Sequence, residues 1–200
     1  KAGLKVVIVE EGPLKTSADF RMREADAYPQ LYQESAARKT KDKAINVLQG
    51  RSVGGSTTVN WTSCFRTPAT TLAHWQREFG LKDLTVEAMA PWFDAVDRRL
   101  SIRYWDLSPN ENNNLLRQAA WKLGVSVAPI RRNVKGCWNL GYCGMGCPTD
   151  AKQSMLVTTI PAALDLGAVL LVETRAERFE ISEGKINSLS CIGVKANGAP

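Results

Sequence analysis

Residues 50–60 are Gly50-Arg51-Ser52-Val53-Gly54-Gly55-Ser56-Thr57-Thr58-Val59-Asn60, the most informative stretch of the chain. Paired glycines let a backbone approach a ligand at a distance where any Cβ would collide with it. The serine and threonine residues add hydroxyl and amide donors, and a helix that began there would direct its positive end at an anion. The stretch therefore predicts a surface that accepts a pyrophosphate or the edge of a planar ring.

An apolar run near the start of the chain, Lys5-Val6-Val7-Ile8-Val9, lies between Gly3 and the turn-forming Glu10-Glu11-Gly12-Pro13. A short apolar run bounded in this way predicts a buried strand of a parallel sheet. In dinucleotide-binding folds, an acidic residue at the end of such a strand holds the ribose diol. Glu10 is therefore a candidate ribose ligand, and the alternative is a charged strand end that faces water.

The middle of the chain has helical periodicity, and its end has short strand-like runs. Thr85 resembles a helix N-cap, and an apolar stripe that includes Trp92 and Val96 follows at helical spacing, so we expect that stripe to face the core. A helix is also predicted after Ser56. The remaining predicted elements are helices over 70–79, 85–100, 111–123 and 154–166, and a final β-meander formed by Val169–Val172, Ala176–Ile181 and Ile186–Val194.

The composition is that of a globular protein with a dispersed basic surface. The 200 residues are 44% hydrophobic, and 26 basic against 20 acidic side chains give a net charge of +6. Basic residues are paired only at Arg98-Arg99 and Arg131-Arg132, so we expect no nucleic-acid partner. No apolar run approaches the ~20 residues of a transmembrane segment. We expect a soluble protein, and the compartment stays open between bacterial-type cytoplasmic and periplasmic or peripheral.

Several motifs, in collinear order, resemble those of the glucose–methanol–choline (GMC) oxidoreductase family. The stretch Gly50–Asn60, followed by Phe65-Arg66-Thr67-Pro68, resembles the family's flavin-binding signature. Val6–Gly12 resembles the family's second Rossmann strand with its ribose-binding acid. Cys143–Pro148 with Ala151–Ser154 is similar to the subgroup of long-chain alcohol oxidases and choline-dehydrogenase-like proteins.

The resemblance implies an α/β fold, namely an incomplete FAD-binding domain of Rossmann type (glutathione-reductase-like) with a helical insertion and a C-terminal β-meander. It implies an FAD-binding part over 1–68, a mostly helical substrate-side insertion with a Cys-rich loop over 69–166, and a return to the FAD domain over 167–200. The family's first strand and G-x-G-x-x-G loop would lie before Lys1, and its catalytic histidine after the end, so we expect a piece of a longer protein. The single histidine, His74, is accordingly not expected to be the catalytic base.

For the whole protein, the resemblance implies an FAD-dependent alcohol dehydrogenase or oxidase that forms a carbonyl compound by hydride transfer to flavin N5. The subgroup favours a long-chain or hydrophobic alcohol. The electron acceptor stays open between oxygen, a quinone and an acceptor protein. The alternative is a non-catalytic fragment with only partial nucleotide-binding capacity.

The resemblance also implies cofactor-binding residues. Glu10 would bind the adenosine ribose, Arg51 would lie near the pyrophosphate, and Asn60 would approach the isoalloxazine ring. Some family members attach FAD covalently through a histidine in the signature, where this chain has serine and threonine, so we expect non-covalent FAD. The other implied contacts come from the backbone around Gly50, Gly54, Gly55 and Ser56 and, at the adenine, around Arg178.

Three of the five cysteines, Cys137, Cys143 and Cys147, lie within eleven residues of one glycine-rich loop. We expect free thiols packed in that loop. A disulfide between two of them is one alternative, and an iron–sulfur cluster held by all three is the other, because such clusters are bound by closely spaced thiolates. Zinc is disfavoured because structural zinc sites use four ligands.

Overall fold

Helices and strands alternate along the chain in the computed structural model, which describes residues 3–105, 107–195 and 198–199. One compact unit contains the residues up to Thr62 and those from Lys135 onward, and Ser63–Val134 form a second unit. The elements in chain order are β1 (Val7–Val9), α1 (Glu24–Leu31), α2 (Ala69–Phe79), α3 (Val86–Arg99), β2 (Ile102–Tyr104), α4 (Glu111–Lys122), β3 (Arg131–Asn133), α5 (Thr159–Asp165), β4 (Val169–Leu171), β5 (Thr174–Ser182) and β6 (Lys185–Gly193). Short 3-10 turns occupy Gln33–Ala36, Gly55–Thr58 and Cys143–Met145.

The first unit contains a parallel pair of strands, β1 and β4, in which Ile8 lies opposite Leu170. Parallel pairing of the first apolar run is thus confirmed, but its burial is not. Val7 is 59% exposed and Val169 52% exposed, because among the described residues each strand has the other as its ladder partner and one face of the pair remains uncovered. The backbone N–H of Glu10 donates to Leu171 O at 2.9 Å and extends the ladder past the end of β1.

The predicted C-terminal meander is not formed, because its first run is β4, which pairs with β1 instead. The other two runs form an antiparallel hairpin of β5 and β6, with Ser182 opposite Lys185. Its two-residue turn has φ of +51° at Glu183 and +73° at Gly184. Positive φ at both turn positions gives the twist that two antiparallel strands require, which accounts for the hairpin.

The core of the first unit lies beneath residues 50–60. Val53 is 1% exposed and Val59 4% exposed, and both pack in one cluster with α1 and with Leu156. The Tyr32 hydroxyl donates to Gly144 O at 2.6 Å and fixes the Cys-rich loop to the same core. The buried members of the cluster are Phe20, Ala27, Leu31, Tyr32, Val53, Val59 and Leu156.

The second unit consists of α2, α3, α4 and the antiparallel pair β2 and β3. Thr85 caps α3, because its hydroxyl accepts the backbone N–H of Ala88 at 3.1 Å. The expectation that the apolar stripe of α3 is core was wrong: Trp92 is 69% exposed and Val96 48% exposed. This unit buries few side chains, of which Leu72 at 2% exposure is the largest.

No helix among the described residues is long and apolar enough to cross a membrane.

Candidate cofactor-binding site

Two stretches that lie far apart in the sequence cross at the carboxyl end of β1. Val53 N donates to Pro13 O at 3.1 Å, so residues 10–13 lie against residues 51–53. A Cβ at Gly12 would overlap the carbonyl group of Arg51, so only glycine permits this close crossing. The fold therefore brings the predicted ribose acid and the predicted flavin-binding signature into one site.

The glycines of the signature serve two different purposes. A Cβ at Gly50 would lie 2.7 Å from the carbonyl carbon of Gly55, and one at Gly54 would lie 2.5 Å from the Thr58 hydroxyl oxygen. Both positions are therefore occupied by glycine because the protein packs against itself there. A Cβ at Gly55 would have nothing within 4 Å, so this glycine borders open space that a ligand could enter.

The hydrogen bonds of the signature are mostly internal. Gly55 N donates to Ser52 O at 2.7 Å, and the Ser56 hydroxyl accepts the N–H of Gly50 at 2.9 Å. The helix predicted after Ser56 is instead the four-residue 3-10 turn Gly55–Thr58. A single turn has few aligned peptide dipoles, so the anion-binding helix end expected there is not formed.

Two adjacent acids end β1, and their environments differ. Glu10 Oε1 accepts the N–H of Gly12 at 2.6 Å, and partial burial raises the pKa of Glu10 although this bond opposes the shift. Glu11 forms an ion pair with Arg175 at 3.0 Å, which lowers the pKa of Glu11. The pairing with Arg175 holds Glu11 in the protein's own structure and leaves Glu10 as the better candidate for a ribose.

Arg51 is 3% exposed, and its positive charge favours the ionised forms of both acids: it opposes the net rise in the pKa of Glu10 and adds to the fall in the pKa of Glu11. The neighbouring Ser52 is 1% exposed, and its hydroxyl has no hydrogen-bond partner among the described residues. A buried hydroxyl without a partner costs free energy unless another group supplies one. A polar ligand at the crossing would suit both side chains.

Arg178 is placed differently from the residues at the crossing. Its side chain is 74% exposed on β5 and forms an ion pair with Glu180 at 2.7 Å. Only main-chain atoms were predicted to contact a nucleotide at this position, and the ion pair leaves that prediction untested.

Asn60 follows the 3-10 turn and is exposed. Its Oδ1 accepts the N–H of Thr62 at 3.2 Å, and its backbone carbonyl accepts a hydrogen bond from Lys152 Nζ at 2.8 Å. Lys152 is 3% exposed and was not predicted as a site residue. The motif Ala151–Ser154 included Lys152 but gave no sign of its burial, because a lysine beside a loop is normally solvated and its burial depends on acceptors distant in the chain.

Within the part of the chain that the structure describes, the cysteine loop contains neither a disulfide nor a group of metal ligands. Cys137, Cys143 and Cys147 are thiols that are not joined in disulfides. Among the described residues, no three His, Cys, Asp or Glu side chains are grouped so that they could hold a metal ion, so the iron–sulfur alternative is not supported. Burial opposes ionisation of Cys147, but hydrogen bonds from the Thr149 hydroxyl and the Lys152 N–H, among others, outweigh it and lower its pKa.

Residues 28–199 match the family model of the GMC oxidoreductases. The chain belongs to the GMC oxidoreductases. The N-terminal domain of this family binds FAD, and the matched range includes residues 51–53 of the crossing but begins after residues 10–13.

Similar proteins include plant and mycobacterial members of the family. The chain is 31% identical over 201 residues to long-chain-alcohol oxidase FAO4B of Arabidopsis thaliana. The alignment covers 98% of this chain and 27% of that protein. It is 30% identical over 205 residues to long-chain-alcohol oxidase FAO3 of the same plant, and the alignment again covers 98% of this chain and 27% of the relative. It is 36% identical over 182 residues to the uncharacterized GMC-type oxidoreductase Rv0492c of Mycobacterium tuberculosis. That alignment covers 90% of this chain and 29% of the relative. The chain thus spans less than a third of the length of these relatives.

Proposed function

We propose that this chain is part of an FAD-dependent oxidoreductase that acts on CH–OH groups and oxidises an alcohol to a carbonyl compound. The observation that carries the proposal is the crossing of residues 10–13 with residues 51–53, which brings the segment that contains Glu10 against the predicted flavin-binding signature. Two relatives named long-chain-alcohol oxidases support a long-chain or hydrophobic alcohol as substrate.

The residues present fit a bound FAD. Glu10, at the carboxyl end of a parallel strand, would accept the ribose hydroxyls. Arg51 would offset the charge of the pyrophosphate from its buried position, and the open face at Gly55 would admit the cofactor without a clash. Asn60 would adjoin the ring, and Gly50, Gly54 and Ser56 would hold the turn in shape beneath it. When bound non-covalently, FAD supplies the acceptor for a hydride from the alcohol carbon.

The first experiment asks whether the full-length protein contains FAD and reduces it with alcohols. We expect a yellow protein that releases FAD on acid denaturation, as a non-covalent flavin must. Anaerobic addition of alcohols of increasing chain length should bleach the flavin, faster for long chains. Reoxidation by oxygen, a quinone or a cytochrome would then identify the acceptor. A purified protein without flavin, or a flavin that stays bound after acid, would contradict the proposal.

Glu10 is the residue whose loss tests the ribose assignment. In Glu10→Ala, loss of a hydrogen bond to a charged group should weaken FAD binding by about tenfold to a hundredfold. Glu11→Ala is the matched control, because its carboxylate pairs with Arg175, and this variant should lose stability rather than FAD affinity. Titration of the apoprotein of each variant with FAD measures its FAD affinity. Equal FAD affinity in Glu10→Ala and the parent protein would exclude Glu10 as the ribose ligand.

The alternative is a protein with only partial nucleotide-binding capacity. It is favoured by the internal bonding of the signature, since the Gly55 amide already donates to Ser52 O. Titrations with FAD and with ADP separate the two functions: the enzyme binds FAD far more tightly, whereas a partial site binds both weakly or not at all.

A further inference from the structure

Lys152 is a buried cation in the first unit, and all three of its ammonium hydrogens are used. Its Nζ lies 2.8 Å from Thr58 O, 2.8 Å from Asn60 O and 2.6 Å from Cys143 O, and the residue is 3% exposed. A lysine ammonium has three donors and no acceptor, so three carbonyls satisfy it. Removing an ammonium from water is costly unless such partners replace the water.

The three carbonyls belong to two separate loops. Thr58 ends the 3-10 turn Gly55–Thr58, where the last carbonyls of a turn lack partners within the turn and attract a cation. Asn60 lies two residues further on. Cys143 begins the turn Cys143–Met145 of the cysteine loop. One side chain thus joins the end of the predicted flavin-binding signature to the cysteine loop.

The chain around Lys152 makes further contacts with both loops. The Lys152 N–H donates to Cys147 Sγ at 3.4 Å, and Met155 N donates to the Thr57 hydroxyl at 2.9 Å. Leu156 lies beside Gly54, because a Cβ at that glycine would come within 2.9 Å of the Leu156 amide nitrogen. The segment 152–156 therefore supports the whole turn, and Lys152 holds the end of it that carries Asn60.

We propose that Lys152 is a positioning residue, which sets the backbone of Asn60 and holds the cysteine loop against it. The part of this inference that concerns the flavin rests on the proposed function. The part that concerns the two loops rests on the hydrogen bonds alone. Loss of the ammonium leaves three carbonyls without their donor, so both loops open more often.

The test uses Lys152→Met in the full-length protein, with Lys135→Met as the matched control, since Lys135 is exposed and the charge change is the same. Peptide-resolved mass spectrometry measures the rate at which a thiol reagent labels Cys143 in the folded protein, with exposed Cys191 as the internal reference. Cys143 is half-buried, and we expect its labelling to rise by up to about tenfold in Lys152→Met, because loss of a hydrogen bond to a charged group increases the open fraction of the loop. Lys135→Met should label like the parent.

The flavin provides the second readout. Visible circular dichroism of the flavin should change in Lys152→Met and return towards the parent in Lys152→Arg, which keeps a charged donor. If Lys152→Met does not fold, Lys152→Gln carries the same test, because its amide offers two donors. Unchanged Cys143 labelling in a folded variant overturns the inference whether or not FAD is present. Raised labelling in a protein that never contains flavin would instead refute the proposed function and leave the positioning role intact.

Discussion

At the scale of single residues, glycines in one motif have unlike roles. The sequence pattern predicts that all glycines of residues 50–60 make room for a ligand. In the structure, Gly50 and Gly54 make room for the protein's own backbone and side chains, and Gly55 borders open space. The pattern could not separate these roles, because each depends on what the folded chain places opposite the missing Cβ.

Substitution by alanine separates the two roles. Gly54→Ala puts a Cβ against Thr58 and Leu156 at φ +90°, so we expect a loss of about 3 kcal/mol or more in the free energy of unfolding. Gly55→Ala, at φ +54° with open space, should cost only about 1 kcal/mol. The Gly55→Ala variant should nevertheless bind FAD more weakly than the parent protein. Urea unfolding of the apoprotein and FAD titration measure the two effects, and equal unfolding free energies for both variants would refute the distinction.

Lys152 is a residue whose burial could not be predicted from its type or its neighbours in sequence. Its type and its place in a polar loop favour exposure, yet three carbonyls, two of them more than ninety positions earlier in the chain, bury it. Burial of a charged side chain is a property of the acceptors around it, and these are not adjacent in sequence. The position of Glu10 at the end of a strand could be predicted because strand and acid are contiguous, and its role as a ribose ligand stays a prediction.

At the scale of elements, local signals predicted three helices well, but the helix predicted after Ser56 is a single 3-10 turn and the one predicted over 154–166 begins only at Thr159. Pairing signals failed. The helices α2, α3 and α4 begin and end within one residue of their predicted bounds, because caps and periodicity are local. The strand β4 was predicted as the first strand of the meander, but its partner is β1, some 160 residues earlier. A strand's partner depends on the whole topology. The predicted meander was therefore wrong, although each of its three apolar runs forms a strand.

The N-cap of α3 gives a test at this scale. Thr85→Ala removes the acceptor of the Ala88 N–H, and we expect unfolding to become easier by about 1 kcal/mol. Thr85→Ser keeps a hydroxyl at the same place and should stay within a few tenths of a kcal/mol of the parent. Chemical denaturation of both variants, followed by circular dichroism, provides the comparison. A destabilised serine variant would show that the methyl group, not the cap, matters.

At the scale of the whole molecule, family membership and the mixed helix and strand fold could be predicted from collinear motifs. The boundaries proposed at 68 and 166 stay predictions, whereas the two units of the structure divide at Thr62 and Val134. Exposure of Val7 and Trp92 could not be predicted, because an apolar residue type does not reveal how much of the chain covers it.

Paired carboxylates contribute to the response of the molecule to acid, and a partly buried example lies in each unit, Glu11 in the first and Asp97 in the second. The pKa of Glu11 is lowered by Arg175. Burial opposes ionisation of Asp97, but hydrogen bonds from Arg66 and Arg131 outweigh it and lower the pKa of Asp97. A carboxyl group with a lowered folded-state pKa stabilises the fold above its unfolded-state value and loses that contribution as the pH falls through the folded one. The raised pKa of Glu10 has the opposite sign, because protonation favours the folded state there, so it offsets part of the loss.

We therefore expect the melting temperature to be steady near neutral pH and to fall once the pH drops below the ordinary values of 4.5 for Glu11 and 3.8 for Asp97. Glu11→Gln and Asp97→Asn should each start from a lower melting temperature and fall less steeply with acid, because the titrating group is gone. Asp83→Asn is the control, since Asp83 is exposed and belongs to neither ion pair. Thermal unfolding scans from neutral pH to pH ~3 measure the slopes. If both variants lose stability as steeply as the parent, then other carboxylates govern the acid response and the two ion pairs contribute little.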